Sequence, residues 1–287
     1  MKTARILVLG SGGQLGQEFQ NLRSAYPSYD FKFIDRTKLD LQHLEAISDF
    51  LESHRGSYLV NCAAYTAVDK AEAEPGQAFR INAEAVGELA ACCDKFGIRF
   101  IHYSTDYVFD GESSAPYKEE AQASPVNTYG ASKRRGEELC LSHNQESIII
   151  RTSWVYSAFG NNFVKTMMRL LSERDSIKVV QDQVGSPTWA ADLAEATMQI
   201  ISSEKWIPGI YHYANAGIIS WYEFALAIKD LIHSPCNVHP IAAIEYPTAA
   251  RRPAFSLLDT SKISATYSIN ISDWRTSLIA CLKQLQS

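Results

Sequence analysis

An apolar run of strand length that leads directly into a glycine-rich turn constrains the fold of this chain more than any other feature. Residues 5–9 read Arg-Ile-Leu-Val-Leu, and a helical pattern begins near Leu15. The glycines that follow the run are Gly10, Gly12, Gly13 and Gly16. The segment predicts a strand, a tight turn and a helix. Such a turn lets the backbone approach a pyrophosphate, because it carries no side chains and the N–H groups of the helix start attract negative charge.

The spacing of these glycines differs from the simplest dinucleotide fingerprint, G-x-G-x-x-G, so the turn alone is weak evidence. The next predicted strand, residues 31–34, ends at Asp35, close to the roughly twenty residues beyond the turn that a dinucleotide site requires. A carboxylate there accepts both ribose hydroxyls of NAD, whereas the guanidinium of Arg36 could hold the 2′-phosphate of NADP. The sequence predicts a dinucleotide site and leaves the choice between NADH and NADPH open.

Strand-like and helix-like segments alternate after this first unit. The further predicted strands are residues 58–62, 98–103, 147–151 and 209–213. The further predicted helices are residues 44–51, 78–96, 129–140 and 190–201. This alternation predicts an α/β fold with a doubly wound, Rossmann-like parallel sheet that binds ligands at the carboxyl ends of its strands.

A second, smaller lobe is predicted beyond residue 152, where the pattern changes. Three helices are expected there. The first starts within 160–165 and runs to Leu171, and the other two cover 221–232 and 273–285. One strand is expected at 177–181. We therefore expect a dinucleotide-binding domain at 1–152 with a returning segment near 185–218. Residues 153–184 and 219–287 would form a C-terminal α+β lobe that binds the substrate.

Charge and composition exclude several classes of partner. The 287 residues carry a formal charge of −5 and no run of lysine or arginine, which argues against nucleic acid or a membrane as the partner. The apolar run in residues 1–9 is too short for a spanning helix and no signal-peptide cleavage region follows it, so we expect a cytosolic protein. The six cysteines and the histidines show no metal-ligand spacing, and we assign none of them to a metal site.

Two segments, residues 103–107 and 129–133, carry three polar groups of catalytic interest. These are the hydroxyl of Thr105, the phenol of Tyr129 and the ammonium group of Lys133. Tyr129 and Lys133 are four residues apart in a predicted helix, so their side chains share one face. A free tyrosine ionises near about pH 10, so it is a poor proton donor at neutral pH unless a cation such as Lys133 lowers its pKa. Any helix can carry such a pair by chance, and Thr105 at a strand end can simply cap a turn. The two segments together predict a site that protonates a carbonyl oxygen.

Five strings resemble the extended short-chain dehydrogenase/reductase superfamily and, within it, the family of dTDP-4-dehydrorhamnose reductases. They are NCAAYTAVDKAE at 61–72, HYSTDYVFDG at 102–111, YGASK at 129–133, RTSWVY at 151–156 and ARRP at 250–253. The Tyr-x-x-x-Lys pair is typical of the superfamily, whereas the strings Ser-Thr-Asp-Tyr-Val-Phe and Arg-Thr-Ser-Trp-Val-Tyr are typical of the reductases.

The resemblance implies that NADPH or NADH reduces the C4 ketone of dTDP-4-dehydro-L-rhamnose, in the synthesis of dTDP-L-rhamnose. It makes Tyr129 the proton donor, and Lys133 the residue that holds the nicotinamide ribose and lowers the pKa of the phenol. Thr105 would hydrogen-bond the same ketone oxygen and orient it. The resemblance also allows a Mg²⁺ ion with no ligand assigned, a homodimer, and a small sugar nucleotide as the partner.

Further side chains bind the two ligands if the resemblance holds. The cofactor residues are Gly10, Gly12, Gly13, Gln14, Leu15, Gly16, Asp35, Arg36, Asp40, Leu41, Ala63, Ala64, Tyr65, Tyr103, Tyr129 and Lys133. The substrate residues are Thr105, Asp106, Trp154 and Arg252. Asp106 has an alternative as a solvated turn acid, and Trp154 as a core tryptophan. Either Arg251 or Arg252 would clamp the diphosphate, with a surface salt bridge as the alternative.

Two other functions stay open at this stage. A binding or regulatory protein could keep the fold and the cofactor site without turnover, since fold alone does not fix function. An epimerase or dehydratase of the superfamily would need a further acid or base, and none is evident beside Thr105. The complete set of Thr105, Tyr129, Lys133, Asp106 and Trp154 favours the reductase, because a pure binder would be free to lose it.

Overall fold

The computed structural model describes residues 3–203 and 205–286. The strands are β1 (Ala4–Leu9), β2 (Tyr29–Ile34), β3 (Tyr58–Asn61), β4 (Arg99–Thr105), β5 (Ile148–Thr152), β6 (Val155–Tyr156), β7 (Ser176–Val180), β8 (Val184–Gly185), β9 (Thr188–Trp189), β10 (Gly209–Tyr213), β11 (Ile219–Ser220) and β12 (Asn237–Ile241). The helices are α1 (Gln14–Leu22), α2 (Glu45–Ser53), α3 (Val68–Ala73), α4 (Pro75–Phe79), α5 (Ala85–Phe96), α6 (Thr128–His143), α7 (Phe163–Glu173), α8 (Ala190–Ser202), α9 (Trp221–Leu231), α10 (Ser261–Tyr267) and α11 (Trp274–Gln286). Over these described residues, no helix has both the length and the apolar character of a membrane span.

Six parallel strands form the central sheet, in the order β10-β5-β4-β3-β1-β2. β1 lies in the interior, with Val8 opposite Phe33 of β2 on one side and Val60 of β3 on the other. The next two strands in the chain, β2 and β3, therefore lie on opposite sides of β1. The carboxyl ends of β1 and β3 flank the crevice where such sheets bind ligands. The predicted strands 5–9, 31–34, 58–62, 98–103, 147–151 and 209–213 all lie in this sheet. The predicted Rossmann-like fold is confirmed.

Helices cover both faces of the sheet. One face packs side chains such as Val8 and Ile150 against α1, α8 and α10. The other face packs Leu7 and Phe100 against α2, α5 and α6. A strand that is buried on both faces needs a continuous apolar sequence, and residues 6–9 of β1 provide it, since each is at most 2% exposed.

A third apolar cluster lies apart from the sheet and gathers α7, α9 and α11. It includes Tyr156, Phe224 and Leu278, and its buried members fall within the ranges 153–184 and 219–287 predicted for the substrate lobe. Short strand pairs, β6–β9, β7–β12 and β8–β11, accompany it. However, Ile263 and Tyr267 of α10 pack against the sheet. The division into two domains stays a prediction, and α10 belongs by its contacts to the sheet side.

The helix predicted at 78–96 is divided into α4, a π-helical turn at Arg80–Glu84 and α5. Turns of this kind are rare and occur frequently at functional sites. This one contains Asn82, whose side-chain amide donates to the Tyr65 carbonyl oxygen at 2.9 Å and to the Ser132 hydroxyl at 3.0 Å. The interruption therefore ties the segment after β3 to α6, which no helical periodicity could reveal.

Candidate active site

The turn after β1 lies at the bottom of a cleft at the carboxyl ends of β1 and β3. Gly10 has a left-handed backbone, with φ of 70°, and a Cβ atom there would lie 2.6 Å from the backbone nitrogen of Ala63. A Cβ atom at Gly16 would lie 2.5 Å from the carbonyl oxygen of Gly10. Both positions require glycine for close packing. Gly12 has open space where a side chain would stand, which leaves its backbone accessible to a ligand.

A cavity of about 510 Å³ extends from this turn. Of the predicted cofactor residues, its lining contains Gly10, Gly12, Gly13, Asp35, Arg36, Asp40, Leu41, Ala63 and Ala64. The lining also contains Leu9, Thr37, Leu39, Cys62 and Ile81, which sequence reasoning missed. No side chain caps the N-terminus of α1, so its first N–H groups are available to an anion.

The remaining predicted cofactor residues of this region lie outside the lining. Leu15 packs against the sheet, and Gln14 accepts a hydrogen bond from Asn162 at 2.9 Å. The hydroxyl of Tyr65 donates to Glu74 at 2.8 Å. The hydroxyl of Tyr103 pairs with Thr197 at 2.7 Å on the opposite face of the sheet. These contacts are structural, and a part in cofactor binding stays a prediction for each residue.

Asp35 and Arg36, at the far end of the cleft, both have local partners. An oxygen of Asp35 accepts from the hydroxyl and the N–H of Thr37 at 2.6 and 3.0 Å, and these bonds lower the pKa of the carboxyl group. Arg36 donates to Asp40 at 3.1 Å and is largely exposed. Because opposite charges stand side by side here, the geometry is compatible with NADH and with NADPH.

Two glycines allow α6 to approach the sheet end closely. A Cβ atom at Gly130 would collide with the carbonyl oxygen of Tyr107, and one at Gly136 would collide with that of Asn82. Asn127 caps the helix, because its side-chain oxygen accepts from the N–H of Gly130 at 2.8 Å. Tyr129, in the first turn of α6, is thereby held against the carboxyl end of β4.

Tyr129, Thr105 and Asp106 form one enclosed cluster at that strand end. The hydroxyl of Thr105 donates to the Asp106 carboxyl group at 2.9 Å, and the Thr105 side chain also contacts the Tyr129 phenol. Burial raises the pKa of Asp106 to about 7. Burial and the charge of Asp106 also raise the pKa of Tyr129 well above its usual value, by more than the contact with Thr105 lowers it.

Lys133 lies one turn after Tyr129 and is directed at β4. Its ammonium group donates to the carbonyl oxygen of Tyr103 at 2.6 Å and lies 3.3 Å from Nε2 of His102. Burial lowers the pKa of Lys133 to about 8. Burial and the charge of Asp106 raise the pKa of the Tyr129 phenol, and the ammonium group of Lys133 is held by β4. A lowering of the phenol pKa by Lys133 stays a prediction.

His102 is a neighbour of Lys133 to which sequence reasoning assigned no role. Its Nδ1 atom lies 3.2 Å from the side-chain nitrogen of Asn61. Burial and the charge of Lys133 hold the pKa of His102 far below its usual value, so the imidazole is neutral. The alternation of side chains along β4 could have indicated this contact, because it puts His102 on the same face of the sheet as Phe100, toward α6.

A buried ion pair supports α6 one turn beyond Lys133. Arg151 of β5 donates to both carboxylate oxygens of Glu137 at 2.7 Å, and the two side chains are 1% and 0% exposed. Although burial opposes it, the pairing with Arg151 holds the pKa of Glu137 below its usual value. The charge of Glu137 in turn raises the pKa of Lys133, which partly offsets the effect of burial.

Trp154 follows β5 and combines a strained backbone with a stacked ring. Its φ angle of 48° lies in the left-handed region, which a bulky side chain rarely adopts and which occurs mostly at functional sites. The indole stacks on Trp221 with ring centroids 3.6 Å apart. A Cβ atom at Gly185 would lie 2.9 Å from the same ring. This strain favours a functional position over a core tryptophan.

Arg252 is engaged by a carboxylate in this structure. It makes two hydrogen bonds to Asp69, at 3.1 and 2.7 Å, and the two side chains are partly exposed. Arg251 lies 3.5 Å from Glu112 and is mostly exposed. The side chain of Asn127, which caps α6, donates to the Arg251 carbonyl oxygen at 2.8 Å. The arginine segment is therefore fixed beside the Tyr129 helix, and a diphosphate contact stays a prediction.

The carboxylates of this cleft do not gather into a metal site. Across residues 3–203 and 205–286, no three or more His, Cys, Asp or Glu side chains are grouped so that they could hold a metal ion. Asp35 is bonded to Thr37, and Asp106 to Thr105. A requirement for Mg²⁺ therefore stays a prediction from the resemblance.

Known proteins match the chain along nearly its whole length. A family model described as the RmlD substrate binding domain matches residues 4–287. A dTDP-4-dehydrorhamnose reductase of Aggregatibacter actinomycetemcomitans is 40% identical over 285 residues, which cover 96% of this chain and 97% of the relative. The structure of a dTDP-4-dehydrorhamnose reductase from Clostridium acetobutylicum has a TM-score of 0.94 at 37% identity, covering 99% of this chain and 100% of that one. The enzyme of that name from Bacillus anthracis, in complex with NADP, has a TM-score of 0.94 at 35% identity, covering 98% and 99%.

Proposed function

The chain belongs to the RmlD substrate binding domain family, and we propose that it reduces the C4 ketone of dTDP-4-dehydro-L-rhamnose to dTDP-L-rhamnose with NADPH or NADH. The observation that carries this proposal is the convergence of Thr105, Tyr129 and Lys133 at the carboxyl end of β4. This end of the sheet also holds the cleft of the glycine turn. A donor of protons and a site for a hydride donor therefore share one edge of the sheet.

The cleft has the properties that a dinucleotide needs. Its glycine turn leaves the backbone of Gly12 open, and the uncapped start of α1 attracts a pyrophosphate. Asp35 and Arg36 line the end that would hold the adenosine ribose. When it is bound, NADPH or NADH supplies the hydride that reduces the ketone carbon. We assign its binding to the lining residues named above.

The proton comes from the protein. Tyr129 donates to the ketone oxygen as negative charge develops there, and the hydroxyl of Thr105 orients the same oxygen. Lys133 has three N–H donors, of which one binds the Tyr103 carbonyl oxygen and one faces Nε2 of His102, so one is left for the nicotinamide ribose. With a pKa of about 8, Lys133 is mostly charged at neutral pH and favours the phenolate that forms when the proton leaves.

The sugar nucleotide binds between the two clusters of helices in this proposal. The indole of Trp154 offers a flat apolar face to the methyl side of a deoxyhexose. Arg252 is the candidate for the diphosphate, because a guanidinium group matches phosphate oxygens in a fork. In the structure the guanidinium fork binds the carboxylate of Asp69, which a diphosphate would have to replace or share.

The test is direct turnover. Purified protein is supplied with dTDP-4-dehydro-L-rhamnose and each reduced cofactor, and oxidation of the nicotinamide is followed by absorbance. We expect oxidation that depends on the sugar nucleotide, and a Tyr129→Phe variant that binds cofactor normally but loses most turnover. A folded wild type that binds cofactor and oxidises none would reject the reductase and favour a binding protein.

Three further expectations belong to the same proposal. We propose that residues 153–184 and 219–287, without α10, act as the substrate lobe. A homodimer and a cytosolic location also stay predictions. The quickest test of the homodimer is to measure the mass of the protein in solution by light scattering.

A further inference from the structure

Asp106 stands in the site with one oxygen engaged and one oxygen without a partner. It directly follows β4, and its side chain is 2% exposed. Oδ1 accepts from the Thr105 hydroxyl at 2.9 Å. Oδ2 is buried and has no hydrogen-bond partner among the described residues, although the Ser256 side chain approaches the carboxyl group. An ionised carboxylate with a buried, unpartnered oxygen is costly, so this environment favours the neutral acid.

The Thr105 hydroxyl connects this acid to the phenol of Tyr129. Its oxygen accepts from the N–H of Tyr107 at 3.2 Å, and the side chain contacts both Asp106 and Tyr129. A threonine hydroxyl carries one proton, so it can donate to Asp106 or to Tyr129 but not to both at once. In the structure the Thr105 proton is directed at Asp106, so a transfer toward Tyr129 requires the hydroxyl to turn to the phenol while the protonated Asp106 donates to the Thr105 oxygen.

We propose that Asp106 is a proton reservoir that restores the proton of Tyr129 through the Thr105 hydroxyl, an inference that rests on the proposed reduction. The O–H bond of Tyr129 breaks as its proton joins the ketone oxygen, which has received the electron pair of the carbonyl bond. The phenolate takes the Thr105 proton, and Thr105 takes the proton of Asp106. The ketone carbon is reduced and NAD(P)H is oxidised. Asp106 is left as a carboxylate, which regains a proton from water after the product leaves.

The acidities of Asp106 and Tyr129 differ in the direction that this transfer requires. Burial raises the pKa of Asp106 to about 7, whereas burial and the Asp106 charge raise the pKa of Tyr129 far higher. A proton therefore moves favourably from the carboxyl group to a phenolate. In the described residues, the ionisable groups that face Asp106 are Tyr107 from its own turn and Tyr129 from α6. Both are neutral at pH 7, since burial also raises the pKa of Tyr107.

The same carboxyl group has a competing role, which is to bind the sugar as the family resemblance implies. A contact that is equally strong in the bound substrate and in the transition state changes KM and leaves kcat unchanged. A proton reservoir instead changes kcat and its dependence on pH. The two roles are therefore separated by one variant.

The variant is Asp106→Asn, and Asp110→Asn is its matched control. Asp110 lies four residues further along, and its carboxylate accepts from Tyr117 at 2.6 Å, away from Thr105. We expect Asp106→Asn to lower kcat about a hundredfold, as for other proton donors, with KM for both substrates within twofold. We expect the kcat of the wild type to fall as pH rises through about 7, and we expect no such fall in Asp106→Asn. Asp110→Asn should keep the wild-type kcat and profile.

A raised KM with wild-type kcat in Asp106→Asn would overturn the reservoir and leave a sugar contact. Absence of turnover in the wild type would instead reject the proposed reduction, and the reservoir with it. A second measurement needs no turnover: ¹³C NMR of labelled aspartate carboxyl groups, with Asp106→Asn as the assignment. We expect the Asp106 signal to titrate near pH 7, and higher in Ser256→Ala, which loses a group that lowers the pKa of Asp106. A midpoint near pH 4 would overturn the reservoir.

Discussion

Asp106, Tyr129 and Lys133 are each enclosed by the protein. Burial raises the pKa of Asp106 and Tyr129 and lowers that of Lys133, which favours the neutral form of each side chain. For Asp106 the consequence reaches beyond catalysis, because a shifted pKa links folding stability to pH. The folded state binds a proton at Asp106 between about pH 4 and pH 7, where the unfolded chain has released it. Stability from this group is therefore lost as pH rises through that window.

Replacing Asp106 by asparagine should remove this loss. We expect the stability of Asp106→Asn relative to the wild type to rise between pH 4 and pH 7 and then level off. The full change is on the order of 4 kcal/mol, from about three pKa units at about 1.4 kcal/mol each. Urea denaturation at pH 4, 5.5, 7 and 8 measures it, with protein alone.

The matched variant Asp110→Asn should show the opposite sign. Tyr117 holds the pKa of Asp110 below its usual value, so its carboxylate contributes stability above the unfolded pKa that is lost as pH falls through the folded pKa. Asp110→Asn should therefore be less stable than the wild type at pH 7 and approach it in acid. If both variants had the same dependence on pH, burial would not be the cause at Asp106.

Helix α6 determines whether these side chains meet at all. Its first turn carries Tyr129, its second Lys133 and its third Glu137, all on the face toward β4 and β5. Two glycines on this helix, Gly130 and Gly136, stand where a side chain would enter neighbouring backbone. The helix is held at short range by backbone contact, so its position is sensitive to a single added carbon atom.

Gly130→Ala should displace the start of α6. The new Cβ atom would enter the carbonyl group of Tyr107, and backbone cannot give way as a flexible side chain does. We expect a loss of about 1–3 kcal/mol in unfolding free energy and a marked fall in kcat, because Tyr129 moves with the helix. Urea denaturation and steady-state kinetics measure the two effects.

Gly76→Ala is the control for this substitution. Gly76 lies in α4, and a Cβ atom there would meet nothing within 4 Å. Alanine favours a helix by roughly 0.5–1 kcal/mol over glycine, so this variant should be at least as stable as the wild type, with unchanged kcat. Equal stability and equal kcat in Gly130→Ala and Gly76→Ala would contradict the role of close contact at Gly130.

The sheet and the third apolar cluster are joined by polar contacts that surround the cleft. Ser157 donates to Glu18 of α1 at 2.6 Å, and Asn162 donates to Gln14 at 2.9 Å. On the other side, Arg252 binds Asp69, at the start of α3. These hydrogen bonds connect the two sides of the cleft in the structure.

Arg252→Gln should raise the KM for the sugar nucleotide by tenfold or more. A hydrogen bond to a charged group contributes about 1.5–3 kcal/mol, which corresponds to roughly ten- to a hundredfold. The KM for NADPH should not change, because Arg252 is not among the residues that line the cavity proposed for the cofactor. Steady-state kinetics with each substrate varied in turn gives both values.

Asp69→Asn separates this role from a purely structural ion pair. It breaks the same pair but leaves the guanidinium group in place to bind phosphate. We expect an unchanged or lower KM for the sugar nucleotide. If Arg252→Gln and Asp69→Asn raised KM equally, the pair would serve to hold the segment and the diphosphate contact would be wrong.

The sequence by itself determined the sheet, because strands buried on both faces need apolar runs such as residues 6–9 and the turns between them need residues such as Gly10. It also determined the pair Tyr129 and Lys133, since a helix puts residues four apart on one face. These are local rules, and they hold wherever the chain goes.

Only the tertiary structure decided the acidity of the site. Segments far apart in the chain determine whether Lys133 donates to the phenol or to the carbonyl oxygen of Tyr103. They also determine whether Asp106 is solvated or enclosed. Burial is a sum over all of these neighbours, and spacing along one helix does not contain it. For this reason the sequence identified the candidate catalytic side chains, while the fold determined the direction in which their pKa values shift.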